Sequence, residues 1–284
     1  MGMSRTTCQY KAKFKDDKEV QDALTALTTK HVAIGFWQCC YRLWNKGFEW
    51  NHKRIYRVYT DMKLNIRRRA KRRLPERVKQ SLAVPTAPNQ IWSIDFMSDC
   101  LEDGRRVRLL NIIDDFNRES LAIEVDTSLP SLRVIRVLER LITQRGCPAN
   151  IRCDNGPEFI SHKLEEWCNH ESRKISLQFI QPGRPMQNAY IERNNGSLRR
   201  ELLDAYLFSN LAEVRALSHE WRIDYNTERP HKSLGYMSPL RYAELKKSNP
   251  ALSTPASGNH SKIEAQPVVD KAVKSRNIKF ENSN

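Results

Sequence analysis

Asp95, Asp154 and Glu192 are the residues of this sequence best suited to chemistry. Asp95 lies inside the apolar run Ile91-Trp92-Ser93-Ile94-Asp95-Phe96, where a carboxylate is costly unless its charge is compensated. Asp154 begins an Asp-Asn-Gly turn signal, and Glu192 lies in a helical stretch, where a lone Glu is ordinarily solvated. The three gain meaning together, because the order of elements around them brings a strand, the end of another strand and a helix to one place. Gathered carboxylates raise one another's pKa unless a cation is present, so a cluster of three points to bound metal. Magnesium, a hard ion taking oxygen ligands, fits best, with manganese (Mg2+, Mn2+) as its substitute. Two such ions roughly 4 Å apart acidify a water or 3′-hydroxyl and hold both the attacking and leaving oxygens of an in-line phosphoryl displacement.

The elements that must position these carboxylates are legible from residue patterns. Ile91 to Phe96 alternates as a strand, Asp103-Gly104 signals a hairpin turn, and Val107 to Ile113 is a β-branched, Leu-rich run. Asn117-Arg118 turns the chain into Leu121 to Val125. Leu132, Ile135, Leu138, Leu141 and Ile142 then recur at helical spacing until Gly146 and Pro148, and Asn150 to Cys153 forms a short strand. A helix over 161–170 with Leu164 and Trp167 inward, a strand from Ile175 to Ile180, a Pro/Gly loop and a helix from about Ala189 follow. A meander followed by alternation predicts an α/β fold, a mixed sheet flanked by helices. A further helix over 210–225 buries Leu211, Val214, Leu217 and Trp221. Trp92, Trp167 and Trp221 fall in apolar patterns and are expected in the core.

Upstream, a helix over 16–31 carries Val20, Leu24 and Leu27, and a second runs from Phe36 to Trp44 and stops at Lys46-Gly47. Asn51 caps a third, from His52 to Lys63, with Ile55, Val58, Tyr59 and Met62 on one face and Lys53, Arg54 and Arg57 on the others. Two helices joined by a Gly-containing turn suggest a helix-turn-helix. Arg67, Arg68, Arg69, Lys71, Arg72 and Arg73 open a Pro-interrupted segment read as a basic linker with phosphate contacts. The expected organisation is 1–66 helix-turn-helix region, 67–89 basic linker, 90–205 catalytic core, 206–247 C-terminal helical part of the core, and 248–284 disordered tail.

Composition narrows the partner. Lys and Arg total 48 against 33 Asp and Glu, a net charge of +15, which favours a polyanion, nucleic acid first. A paired-carboxylate glycosidase needs no such charge. No apolar run is long enough for a membrane helix and no apolar signal segment opens the chain, so the expected location is cytoplasmic and nucleoid-associated. The 7 cysteines form no CxxC, which indicates a reducing compartment and no structural zinc.

Several ordered motifs together resemble a family. Trp92 to Phe96, Asp114-Asp115-Phe116-Asn117-Arg118-Glu119, Cys153 to Phe159 and Gln187 to Arg193 resemble the core of retroviral-type DDE integrases. More narrowly, they resemble the larger-frame transposase of bacterial insertion sequences of the IS-three group. Gly35-Phe36-Trp37, Asn51 to Tyr56, Tyr225 to His231 and Leu234 to Pro239 extend the resemblance over residues 5 to 245. It implies an RNase H-like fold with Asp95, Asp154 and Glu192 as catalytic and metal-binding triad. The implied reactions are magnesium-dependent strand cleavage and then transesterification by the freed 3′-hydroxyl, without a covalent protein intermediate. Asp154 and Glu192 enclose 37 residues, slightly more than the family's usual spacing, and the 168–176 loop is the expected place of the excess.

The implied partners are double-stranded DNA, as element terminal repeats and as target, further copies of the chain, and an upstream-frame helix-turn-helix and leucine-zipper protein. Besides the basic residues above, Arg184, Gln187, Asn188, Arg193, Arg199 and Arg200 are expected at the DNA, with Pro182 and Gly183 in the same loop. Asn155 and Gly156 are expected to let the backbone pass close to the metal, Tyr225 to His231 is a candidate DNA-contacting turn, and His231 has no catalytic role. Two other functions stay open at this point: a DNA-binding regulator with an inactive core, and an RNase H-like nuclease that only hydrolyses.

Overall fold

The structure, a computed structural model, describes residues 16–66, 85–181 and 185–248. The basic stretch from Arg67 to Arg73, loop residues Pro182, Gly183 and Arg184, and all but residue 248 of the expected tail lie outside the described residues.

Three helices open the described chain: α1 (Lys18–Lys30), α2 (Phe36–Asn45) and α3 (His52–Asp61). Their apolar stripes meet in one cluster that includes Val20, Leu24, Cys39, Leu43, Ile55 and Tyr59. Gly47 takes φ +93° after α2, a conformation that glycine adopts without steric cost, and the Asn51 side chain caps α3 by accepting from the Lys53 N–H. Helix α3 ends two residues earlier than its pattern suggests, because Lys63 already has φ 57°.

The core is a five-stranded sheet of β1 (Ile91–Cys100), β2 (Arg106–Asp114), β3 (Ser120–Asp126), β4 (Asn150–Cys153) and β5 (Ser176–Phe179), in the order β3-β2-β1-β4-β5. β1, β2 and β3 form an antiparallel meander, while β4 runs parallel to β1 and β5 parallel to β4. Each parallel connection crosses by a helix, α4 (Ser131–Arg145) and α5 (His162–Asn169), as parallel pairing requires.

Alternation along β1 divides the core in two. Trp92 and Ile94 point to one face and pack with Leu110, Ile112, Leu138, Leu141, Ile151, Leu164 and Trp167. On the other face Met97, Leu109 and Val125 pack with Leu198, Leu202 and Val214. These belong to α6 (Ala189–Leu198), the π-helical turn Arg199–Leu203 that prolongs it, and α7 (Leu211–Thr227). Asn210 caps α7 by accepting from Glu213 N–H at 3.0 Å, and the Glu213 carboxylate accepts from Ser209 N–H at 2.8 Å. A short 3-10 turn (Lys232–Leu234) and α8 (Pro239–Ser248) close the described chain. One expected core position differs: Leu132 is 52% exposed, because at helical spacing it falls on the opposite side of α4 from the buried stripe Val134, Val137, Leu138 and Leu141.

The helical region is tied to the core. Arg42 of α2 donates two bonds to Asp224 of α7, at 3.0 and 2.6 Å. Burial raises the Asp224 pKa, but the Arg42 guanidinium outweighs it and holds the carboxyl below its ordinary range. Nearby, the rings of Tyr41 and Tyr236 stack at 3.7 Å.

Candidate active site

The register of the two central parallel strands sets the site. Ile91, Trp92 and Ser93 pair with Asn150, Ile151 and Arg152. Two positions further along, the same register brings Asp95 beside Asp154, the first residue after β4, at the roughly 4.8 Å spacing of neighbouring strands. Both residues therefore share the face of the sheet on which α6 lies.

The third carboxylate arrives through that helix. Asn195 of α6 donates its amide to Asp95 Oδ2 at 2.7 Å, while its own Oδ1 accepts from Asn111 Nδ2 at 2.7 Å. Asn111 faces Asp95 across β1 and β2, so the amide of Asn195 is fixed in one orientation and its N–H must address the carboxylate. Glu192 lies one turn before Asn195 and shares its helix face. Asn195 was not anticipated from the sequence, although its three-residue offset from Glu192 was a usable signal.

Electrostatics distinguish this cluster. Burial pushes the Asp95 carboxyl up to about 6, aided by the Asp154 and Glu192 charges and opposed by the Phe96 N–H and the Asn195 amide. Burial also raises Glu192. Asp154 accepts the Gly156 N–H on Oδ1 at 2.9 Å. A Cβ at position 156 would stand 2.9 Å from that oxygen, so glycine lets the backbone close on the Asp154 carboxylate. Asn155 itself donates to the Ile180 carbonyl at 2.9 Å and ties this turn to the end of β5. Among the described residues, no Lys, Arg or His forms an ion pair with any of the three carboxylates.

The Asp114 to Glu119 motif has a different arrangement. Asp115, fully buried, pairs with Arg152 at 2.9 Å, and Glu119 pairs with Arg145. Asp114 accepts the Asn89 and Phe116 N–H groups, both at 2.8 Å, and burial still lifts its carboxyl to about 6. Arg118, at φ 63°, lays its guanidinium 3.4 Å over the Tyr190 ring. This turn therefore braces β4 two residues before Asp154 through Arg152, and α6 two residues before Glu192 through Tyr190.

A divalent cation suits the donor set by chemistry: oxygen ligands alone, with no protein cation spent on them. The side chains do not converge on one point, and among the described residues no group of three or more His, Cys, Asp or Glu is arranged to hold a metal ion.

The expected DNA contacts divide by their surroundings. Lys53, Arg193 and Arg200 are exposed. Arg54 and Arg57 are partly engaged with Asp17, at 2.9 and 2.6 Å, and Arg199 with the Ser98 carbonyl at 2.7 Å. Gln187 accepts the Gln181 N–H at 2.8 Å. Asn188 is buried at 3% exposure, and thus differs from the surface contact expected of it, because the 3-10 turn Pro185–Asn188 folds its side chain inward before α6. The Tyr225 to His231 turn is likewise more internal than expected. Asn226 exchanges two hydrogen bonds with the Ser120 backbone, both at 2.9 Å, and buried Arg229 pairs with Glu201. No disulfide involves the described cysteines, which are free, and no described helix is long and apolar enough to cross a membrane.

Comparison with known proteins gives a consistent picture. Two models of the integrase core domain match, over residues 85–185 and 173–239. The insertion element IS407 uncharacterized 31.7 kDa protein of Burkholderia multivorans is 42% identical over 244 residues, 86% of this chain and 87% of that protein. The insertion element IS476 uncharacterized 39.2 kDa protein of Xanthomonas euvesicatoria is 42% identical over 193 residues, 68% of this chain and 55% of its own length. Among solved structures, a chain of the simian T-cell lymphotropic virus intasome is 20% identical with a TM-score of 0.50, covering 88% of this chain and 80% of that one. That likeness carries the fold, which is RNase H-like.

Proposed function

Because the chain belongs to the integrase-core transposases of bacterial insertion sequences, we propose that Asp95, Asp154 and Glu192 are the carboxylates with which it cuts and rejoins DNA strands. What supports this reading is that the β1/β4 register, continued past Ser93 and Arg152, carries Asp95 and Asp154 to one level, that the charges of Asp154 and Glu192 both act on Asp95, and that Asn195 of the Glu192 helix bonds to Asp95. Integrase cores act with a divalent metal, and here Asp95 and Asp154 would hold it, with Glu192 completing the set. Magnesium is the expected ion, manganese its substitute, and two ions per site the expected stoichiometry. When bound, such an ion supplies charge stabilisation to the phosphoryl group and acidifies the attacking water or 3′-hydroxyl.

The residues of the chain do the rest. The Phe96 N–H and Asn195 amide orient the Asp95 carboxylate, the Gly156 N–H holds Asp154, and Arg118 beneath Tyr190 sets the start of the helix bearing Glu192. With its pKa raised to about 6, the Asp95 carboxyl is mostly ionised at neutral pH but held at an electrostatic cost, which a bound cation would relieve. Lys53, Arg193 and Arg200, with the +15 net charge, supply the electrostatic attraction to phosphates. Duplex DNA is the substrate, as element end and as target, and a multimer holds the two ends together. An upstream-frame protein, the IS-three subgroup, the helix-turn-helix role of α2 and α3, the five-part domain division and a nucleoid-associated, cytoplasmic location complete the reading.

The test supplies the purified chain with labelled linear DNA carrying its element's ends, in magnesium or manganese, beside Glu192→Gln. Metal-dependent joined strands that vanish in the variant are the expected result. Nicks without joined products would point to a nuclease, and DNA binding without either product, even with an upstream-frame partner, to a regulator with an inactive core.

A further inference from the structure

Helix α6 has a second flank. Beside Glu192, Arg193 and the following turn border a cleft of roughly 400 Å³, within the size range of sites that enclose a small ligand or a single nucleotide. Its far wall comes from α2 and its rim from the turn at residues 230–236, so it lies where the helical region meets the core. The stacked pair Tyr41 and Tyr236 lines it.

Three features of this cleft are unexplained by folding. Trp37 lines it and stays 51% exposed: the rings of Phe36, Tyr41 and His52 flank the indole, yet half of its surface is left open, more than an indole placed for packing alone leaves. Arg193 and Lys232 are exposed cations on its border, with no ion-pair partner among the described residues. The His231 ring bonds to the Tyr225 carbonyl, while its Nε2 is buried without a partner among the described residues. An aromatic face, two free cations and an orphaned acceptor around a concavity match the parts of one nucleotide: a base, a phosphate and a base-edge or sugar donor. A paired duplex presents its phosphates without needing the aromatic wall, and it cannot enter a cleft of this size.

We propose that this cleft takes a single unpaired nucleotide of the DNA strand, its base stacked on Trp37 and its phosphate held by Arg193 and Lys232. The inference rests on the reading of the chain as a DNA strand-transfer enzyme, and it adds the substrate feature recognised beside that site. Extruding one nucleotide next to Glu192 would separate the strand to be cut from its complement.

The test measures binding of the full chain, in EDTA, to a fluorescein-labelled oligothymidylate and to a blunt duplex of equal length, by anisotropy. Trp37→Ala is expected to weaken binding of the single strand by on the order of tenfold, to change duplex binding less than about twofold, and Trp37→Phe to retain most of the single-strand affinity. Circular dichroism melting confirms that each variant is folded. Equal loss for both DNAs, no loss for either, or absence of single-strand binding by the parent chain would overturn the proposal. Because no metal is present, the outcome is independent of catalysis. Failure of strand transfer in magnesium with the Trp37 effect intact would reject the enzymatic reading and keep the cleft.

Discussion

Two acid-rich regions of the core are treated in opposite ways. At the Asp114 to Glu119 turn, Asp115 and Glu119 each have an arginine partner, and Asp114 has two backbone donors. At the Asp95, Asp154 and Glu192 cluster no ion pair is present among the described residues, and Asp95, lifted to about 6 as Asp114 is, has two other carboxylates as its charged neighbours. In the first region two of the three acids have their charge balanced by buried or half-buried arginines, so they stabilise structure. The second keeps its charge unbalanced, which a folded protein tolerates where a ligand completes the site. Both regions belong to recognisable sequence motifs, and only the distribution of arginines separates their roles.

The largest effect that would sharpen this comparison is on activity. Asp154→Asn or Glu192→Gln is expected to lower strand transfer by at least about a thousandfold while the unfolding midpoint moves little. A variant that kept its activity would remove the residue from the site. In the other region the order reverses. Asp115→Asn leaves the Arg152 guanidinium buried without its carboxylate and is expected to cost about 3–5 kcal/mol, lowering Tm by roughly 10 °C. Activity per folded molecule should survive at low temperature. Calorimetry beside a strand-transfer assay separates the two effects.

Much of this was legible in the sequence, and what was missed has physical causes. The succession of strands and helices, the mixed sheet and the helix carrying Glu192 follow from alternation and turn residues, and Gly47 and Asn51 act at helix ends as read, whereas the order of strands in the sheet comes from the structure alone. The Asp95 and Asp154 juxtaposition was readable because a strand register carries paired residues to the same level. Asn195 and Arg118 were not assigned roles, since a hydrogen bond to Asp95 and a stack on Tyr190 depend on how α6 lies across the sheet, which no local pattern encodes. Leu132 was misplaced because its three-residue offset from Ile135 suggested a shared face, while the stripe that meets the sheet is centred on Val134, Leu138 and Leu141, on the other side of the helix. Asn188 was expected at the DNA as part of the loop before α6, yet the turn that closes this loop faces it inward.

Smaller effects test the supporting parts. Asn195→Ala removes the oriented amide from Asp95 and is expected to weaken metal affinity by about 10- to 100-fold. A rise in the magnesium concentration needed for half-maximal rate distinguishes this from simple loss of folded protein. The smallest effect concerns stability against pH. In the metal-free protein the Asp95 carboxyl has its pKa raised from 3.8 to about 6, so the folded state holds this proton more tightly than the unfolded chain. The contribution is stabilising below the ordinary carboxylate value and is lost as pH rises to about 6. Asp95→Asn should therefore flatten the fall in Tm across that window and abolish strand transfer. An unchanged slope would mean that Asp95 titrates normally.

The most direct measurement of the contrast is manganese binding followed by electron paramagnetic resonance at neutral pH, on the parent chain, Asp95→Asn, Asp154→Asn and Asp115→Asn, each verified as folded. The account predicts bound manganese in the parent and in Asp115→Asn, and its loss in the two variants of the unbalanced cluster. Binding that persists in Asp95→Asn and Asp154→Asn, or that disappears only in Asp115→Asn, would contradict it.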